Sequence, residues 1–207
     1  MLPYLVLVVG SVAWFAPFLL HRRGSSAPEK VNPRARWGLV LVGAGYAVPW
    51  QTAFWTRPAE GWRVAVSALC LGLACAFSWT AARALGRHWR IQAGLDADHE
   101  LVQTGIYGMV RHPIYTSMLF VVVGTCVMLA PLYLLPLSAL LYGAGTEVRV
   151  RAEEALLAER FGEAFQIYRR RVPAYVPWPG AFRRRRGGTL NAGEETATPD
   201  DETRGRE

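Results

Sequence analysis

The sequence predicts an all-α polytopic membrane bundle: about five transmembrane helices, the last two forming a C-terminal hairpin, followed by a cytoplasmic amphipathic helix. Three observations predict it. Hydrophobic residues make up 52% of the 207-residue chain and charged residues 19%, and the charges avoid the long apolar runs. Runs 2–20, 37–55 and 64–82 hold no charge, and each has the roughly 20 apolar residues that a bilayer crossing takes. A fourth uncharged run, 114–146, is interrupted by Ala130-Pro131, which suits a tight turn between two helices of about 16 residues each.

The elements follow in order. Run 2–20 has no basic stretch before it, and His21-Arg22-Arg23 come after it, so it reads as a retained helix and not as a cleaved leader. A basic loop containing Gly24-Ser25-Ser26-Ala27-Pro28 leads to the second run, and loop 56–63 leads to the third. The third run continues through Arg83 to Gly86-Arg87-His88, a helix running out into the polar interface. Residues 89–113 read as an irregular polar connection to the hairpin. Beyond it, Leu157, Phe161, Phe165 and Tyr168 recur at spacings of four, four and three within 149–171, the stripe of an amphipathic helix. Pro173, Pro177 and Pro179 end that helix, and Tyr175 and Trp178 suit an interfacial anchor. Residues 187–207 lack large apolar side chains almost entirely and are expected to be disordered. Three parts result: 1–82 with the first three spans, 83–182 as a polar-site core, and 183–207 as a basic patch and tail.

The charge is +7 and lopsided. Of 23 Lys and Arg, five fall in 21–36, four in 83–113 and twelve from Arg149 onward, leaving only Arg57 and Arg63 between the second and third spans. An outside N-terminus puts nearly all of them in the cytoplasm, with the C-terminus there too. Such a basic face favours anionic lipid headgroups, and Arg183–Arg186 reads as a membrane-surface patch. Nucleic acid is a poor partner, because no soluble basic domain exists to carry it. Cys70, Cys75 and Cys126 lie within spans without metal or disulfide spacing, so they read as packing residues, and four scattered histidines make no metal site. Gly43-Ala44-Gly45 and Gly143-Ala144-Gly145 lack the third glycine of a dinucleotide loop and sit in spans, where small residues allow close helix packing. The absence of internal repeats and of charges at mid-membrane depth speaks against a transporter.

Ionisable residues gather at one mouth of the final hairpin. Pro113 disfavours helical geometry at His112 and suits the first turn of the next helix. His112 is therefore expected on an extended elbow, with Tyr115 one turn into the helix and Gly105 and Gly108 permitting tight turns just before. This elbow presents Tyr107, Arg111, His112 and Tyr115. Arg111 suits a fork onto a carboxylate or a snorkelling anchor. Glu153 and Glu154 suit a polar site or a solvated face pairing with Arg149 or Arg151; for Glu154 the solvated face is the simpler reading. Glu147, near the end of the last span, is either functional or paired with Arg151 four residues on.

In this order the chain carries His99-Glu100-Leu101-Val102, Thr104-Gly105-Ile106-Tyr107, Val110-Arg111-His112-Pro113-Ile114-Tyr115, an apolar hairpin, Glu153-Glu154-Ala155-Leu156-Leu157, Phe161-Gly162 and Tyr168-Arg169-Arg170-Arg171-Val172-Pro173. The set resembles the isoprenylcysteine carboxyl methyltransferase family, membrane methyltransferases related to the phospholipid methyltransferases, over about residues 83–178. The resemblance implies an S-adenosylmethionine-dependent membrane enzyme with its cofactor on the cytoplasmic side. By matching motifs, it implies cofactor contacts from His99, Leu101, Val102, Gly105, Tyr107, Arg111, His112, Pro113, Tyr115, Glu153, Glu154 and Leu157. It also implies that Arg170 and Arg171 lie near the reacting group.

The chemistry of these residue types agrees. The cofactor offers a carboxylate to Arg111 or His112, an amine and ribose hydroxyls to Glu153 or Glu154, and an adenine ring and sulfonium to Tyr107 or Tyr115. Methyl transfer is an in-line displacement, so positioning and exclusion of water carry it. A carboxylate acceptor is already ionised and needs an arginine to aim it, for which Arg171 or Arg170 is the candidate, with Glu153 beside the reacting centre. A phospholipid amine or a small thiol instead needs a base, which His112, Glu153 or Glu154 would supply. A non-catalytic scaffold is the reading of another class. Two local departures stand out: Ile106 and Ser117 occupy positions where the family often has Pro and Gly. The ratio of 22 Arg to one Lys suggests a GC-rich bacterial genome, hence a bacterial cytoplasmic membrane. A eukaryotic prenyl-protein substrate is therefore not transferred, and the acceptor is expected to be a lipophilic, membrane-borne molecule.

Overall fold

Five apolar or amphipathic stretches become five helices. The computed structural model describes residues 2–20, 30–31, 35–51, 60–86, 94–95 and 101–176. The helices are α1 (Leu2–Leu20), α2 (Ala35–Ala47), α3 (Gly61–Leu85), α4 (Pro113–Leu129) and α5 (Leu135–Arg171). Lys30–Val31 (β1) and Gly94–Leu95 (β2) pair antiparallel, with Lys30 opposite Leu95. This two-residue ladder, absent from the all-α expectation, ties the α1–α2 loop to the connection after α3.

Helix boundaries follow local chemistry. Proline at 49 turns the end of α2 into a 3-10 segment, Val48–Trp50, so the second helix is shorter than the expected 37–55. Gly86 ends α3 at φ +50, its N–H returned to the Ala82 carbonyl. Pro113 opens α4 just after His112, which sits at φ −125, ψ 61, the non-helical elbow that X-Pro chemistry predicts. Ala130 leaves α4 extended, Pro131 follows, and α5 begins at Leu135, so the hairpin turn falls where the sequence puts it.

α5 departs from expectation. The fifth span and the amphipathic helix are one unbroken helix past Thr146, because no glycine or proline lies between Glu147 and Phe161. The break comes instead at Gly162, whose φ +51 and ψ −122 are open to glycine and strained for other residues.

α5 packs on α2 through glycine. A Cβ on Gly145 would lie 2.6 Å from the Gly38 carbonyl oxygen, and one on Gly45 would lie 2.8 Å from the Tyr142 amide nitrogen. Gly43 and Gly143, one turn-face away, meet nothing within 4 Å. α3 packs on α4, where Gly124 faces Cys70 and Ser67, and α1 packs on α3. Trp79 and Ser78 of α3 donate to the carbonyls of Ala13 (2.9 Å) and Trp14 (3.0 Å). Trp14 also donates to Ser117 of α4 at 3.1 Å. At the far end, Arg63 donates to the Val127 and Ala130 carbonyls at 3.1 and 3.0 Å, covering two of the orphan acceptors of the α4 terminus.

The bundle is apolar outside as well as inside. Leu5, Val8 and Val12 of α1, Trp37 and Val40 of α2, Leu69 of α3 and Leu140 of α5 are exposed, whereas Ser67, Ser78, Ala74 and Ala81 are fully buried. Small residues within and large apolar ones without is the pattern of helices that pack in lipid. Leu2–Leu20 and Gly61–Leu85 are long and apolar enough to cross a membrane, and Pro113–Leu129 is apolar but shorter.

Candidate active site

The elbow is built by backbone before side chains. Gly105, at φ +60, starts a 3-10 turn over Gly105–Gly108. The amides of Arg111 and His112 then donate to the carbonyls of Pro173 (2.8 Å) and Ala174 (3.0 Å). Thr116 adds a bond to the Tyr175 carbonyl at 2.8 Å. The segment after α5 is thus strapped along the elbow, and Tyr168 donates to the Tyr107 carbonyl at 2.7 Å from the helix that precedes it.

Glu154 is the hub. Its Oε1 accepts from Arg111 Nε (3.0 Å) and Nη2 (2.8 Å) and from His112 Nε2 (3.1 Å), and its Oε2 meets Arg169 Nε at 3.2 Å. Burial by itself would raise its pKa, but the hydrogen bonds from His112 and Arg111 and the arginine charge outweigh it and hold the carboxyl down at about 2. A carboxylate only accepts, so its contact with His112 is a hydrogen bond when Nε2 carries a proton. Arg111 is equally committed, since Nη1 donates to the carbonyls of Arg169 (2.9 Å) and Val172. The solvated-face reading of Glu154 is therefore corrected: it is buried, because the elbow closes over that face of α5. Glu147 does pair with Arg151 four residues on, at 2.8 Å, and accepts from Tyr175 at 3.0 Å.

Glu153 turns the other way. It lines a cleft of about 90 Å³ with Leu101, Val102, Tyr107, Arg111 and His112 of the elbow. Leu157 and, from beyond the bend, Phe165 and Tyr168 complete one wall, and Leu85 at the end of α3 forms another. Ligand sites begin at about 300 Å³, so the described residues by themselves enclose less than a ligand-sized space. His99, expected here, lies outside the described residues. The Tyr115 hydroxyl donates to Glu153 Oε2 at 3.4 Å and accepts from Arg149 Nε at 3.2 Å. Burial, then the Glu153 charge, pushes the Tyr107 hydroxyl well above its ordinary range, and burial raises Tyr168, so both stay neutral.

Of the residues expected at the site, Leu101, Val102, Tyr107, Arg111, His112, Glu153 and Leu157 meet in this cleft. Gly105 and Pro113 shape the backbone, and Tyr115 and Glu154 stand behind it. Arg170 and Arg171 are exposed and line no part of it. The inward register of this arm is Phe165, Tyr168 and Val172, which leaves both arginines on the other side and lets their neighbour Arg169 reach Glu154. Sequence reasoning does not find Arg149, Phe165 or Tyr168 here: Arg149 lines no part of the cleft but reaches Glu153 through the Tyr115 hydroxyl, and Phe165 and Tyr168 line it. The i−4 spacing of Arg149 from Glu153 was the available signal for the first, and the apolar stripe was the signal for the others.

Residues 66–159 match the isoprenylcysteine carboxyl methyltransferase family. The chain is 33% identical over 150 residues to the nickel-cobalt-cadmium resistance protein NccN of Alcaligenes xylosoxydans xylosoxydans, covering 63% of this chain and 70% of that one. It is 36% identical over 80 residues to the protein-S-isoprenylcysteine O-methyltransferase of Schizosaccharomyces pombe, covering 39% and 34%. It is also 37% identical over 81 residues to protein-S-isoprenylcysteine O-methyltransferase B of Arabidopsis thaliana, covering 39% and 41%. The chain belongs to the isoprenylcysteine carboxyl methyltransferase family. It spans about a third of the first of those two O-methyltransferases and two fifths of the second. The matched stretch runs from within α3 to α5 and takes in the elbow, Arg149 and both glutamates. Among the described residues no three His, Cys, Asp or Glu side chains gather as a metal-ligand group.

Proposed function

We propose that this chain is an integral membrane methyltransferase that uses S-adenosylmethionine to methylate the carboxylate of a lipophilic acceptor, with the cleft facing the cytoplasm of a bacterial cell. The observation that carries the proposal is the placing of Glu153. In a member of this family, it is the carboxylate that faces an aromatic and aliphatic cleft while its neighbour Glu154 is wholly engaged elsewhere.

The residues present fit the cofactor. Glu153 suits its amine or ribose hydroxyls, and Tyr107, Phe165, Tyr168, Leu101 and Leu157 suit its adenine and sulfonium. When bound, the cofactor supplies an electrophilic methyl group. Arg111 and His112 act through the Glu154 hub, which holds the elbow against α5 and keeps the cleft in shape. Arg149 takes the role of aiming the acceptor. It lies one helical turn from Glu153 on the bilayer side, with its guanidinium on the Tyr115 hydroxyl, and an arginine there orients a carboxylate. Water exclusion by Phe165 and Tyr168 strengthens that attraction.

A carboxylate acceptor needs no base, whereas an amine or thiol does, and of the three candidate bases Glu154 is held at about 2 and His112 is already bonded to it. The exposed apolar faces of α1, α2 and α5 suit an acceptor that arrives through the bilayer, so that its tail never crosses water.

The test is methyl transfer. Purified protein in lipid nanodiscs is given the labelled cofactor and either an S-prenylated cysteine carboxylate or its amide. Label in the carboxylate alone, as a base-labile ester, is the expected result. Label in neither compound, nor in a total lipid extract, overturns the proposal.

A further inference from the structure

We infer that the chain beyond Gly162, residues 163–176, is a hinged door whose swing off the elbow sets the rate of cofactor exchange; this rests on the methyltransferase reading above. The hinge is a backbone observation. Helix runs on both sides of Gly162, and the bend exists because this one residue adopts φ +51 and ψ −122. A side chain there would meet nothing within 4 Å, so space does not demand glycine; the bend does. With any other residue the least strained path is straight helix, which carries the arm away from the elbow.

The door forms one wall of the cleft. Phe165 and Tyr168 are 1% and 5% exposed and face the cleft, whereas Gln166, Ile167, Arg170 and Arg171 on the same arm are exposed. The other walls come from α3, the elbow and α5 before the bend, all anchored in the bundle. The arm lies outside the glycine seam of α2 and α5, so it can move without parting that seam.

The latch joins door to frame. Arg169 grips Glu154 at 3.2 Å, its side chain 54% exposed against 10% for its partner. Behind it lie the Tyr168 bond to the Tyr107 carbonyl and the backbone bonds from Arg111 and His112 to Pro173 and Ala174. The Arg111 Nη1 bonds to the Arg169 and Val172 carbonyls, the Thr116 bond to the Tyr175 carbonyl and the Tyr175 bond to Glu147 lie there too, and opening must break them all. Among these contacts the Arg169–Glu154 pair, with one exposed member, is the one that opens most readily. Gly162 and Arg169 are thus positioning residues: they set where Tyr168 and Phe165 stand.

Two measurements test this on the full chain in nanodiscs. The first is the release rate of S-adenosylhomocysteine. Arg169→Gln is expected to speed release about two- to five-fold and Gly162→Ala about five- to thirty-fold, with association changed less than release. The second needs no cofactor: hydrogen exchange at the amides of Arg111 and His112, which the closed arm protects. Both variants are expected to lose protection there while α3 and α4 amides keep theirs. Unchanged release and unchanged exchange overturn the door. If the wild type binds no S-adenosylhomocysteine but local protection still falls in both variants, the hinge stands and the methyltransferase reading fails.

Discussion

The two halves of α5 hold to the molecule in different ways. Before Glu147 the helix is fixed by what is missing: Gly145 of α5 meets Gly38 of α2, backbone on backbone, with no room for a Cβ. After Glu147 charge is added to packing, with Glu154 taking Arg111, His112 and Arg169 on its two oxygens beside the buried Phe165, Tyr168 and Val172. The apolar half has no hydrophobic drive to exploit if its surroundings are lipid, so contact distance does the holding. The polar half has water on one side and can use ion pairs, provided every partner is satisfied. One helix thereby carries both a close-packed apolar seam and a polar frame around a cleft.

Breaking the polar half should have the largest effect. Glu154→Ala leaves Arg111 and His112 buried without their acceptor, and losing one member of a buried ion pair costs about 3–5 kcal/mol. A large fall in thermal unfolding temperature in detergent is expected, with loss of cofactor binding; a variant as stable as wild type would show the hub to be idle. Breaking the apolar half comes next. Gly145→Val should cost about 1–3 kcal/mol or more by overpacking, read as α2–α5 separation and reduced folded yield. Gly143→Ala, on the open side, should be neutral or gain up to about 1 kcal/mol from helix propensity. Equal effects at the two glycines would contradict the seam.

Acid separates the halves without mutation. The folded Glu154 carboxyl lies below its ordinary 4.5, at about 2. Its contribution to stability is therefore complete above pH 4.5 and lost as the pH falls from 4.5 toward 2. Wild-type stability should drop across that window, and Glu154→Gln should show a flatter profile there. The smallest effect is expected at the exposed Arg171: Arg171→Ala should change stability by no more than about 0.5 kcal/mol. A large loss of methyl transfer in that variant would return the acceptor-aiming role from Arg149 to Arg171.

The comparison also explains what the sequence reveals. The apolar half is legible, since uncharged runs, the Pro131 turn and the small-residue triplets are all local signals. So is the elbow, because Pro113 dictates the geometry of His112 by contact with its own neighbour. The polar half is less so. That α5 runs on unbroken past Thr146 could be read from the want of a breaker, but a change from apolar to charged composition suggests two elements where the backbone makes one. Which arginine of Arg169-Arg170-Arg171 turns inward depends on the bend at Gly162, and a glycine conformation is not visible in composition. Which glutamate is the hub is settled by the elbow folding over one face of α5, a contact between residues 43 positions apart. The link from Arg149 to Glu153 emerges only once Tyr115 is seen between them.

The most direct test of the central claim is a calorimetric titration of the nanodisc protein with S-adenosylhomocysteine, wild type against Glu153→Gln. Saturable binding that weakens at least about ten-fold in the variant, a loss of about 1.4 kcal/mol, is the predicted result. Binding unchanged by Glu153→Gln, or no binding to a folded wild-type protein, would contradict a cofactor cleft built around that carboxylate.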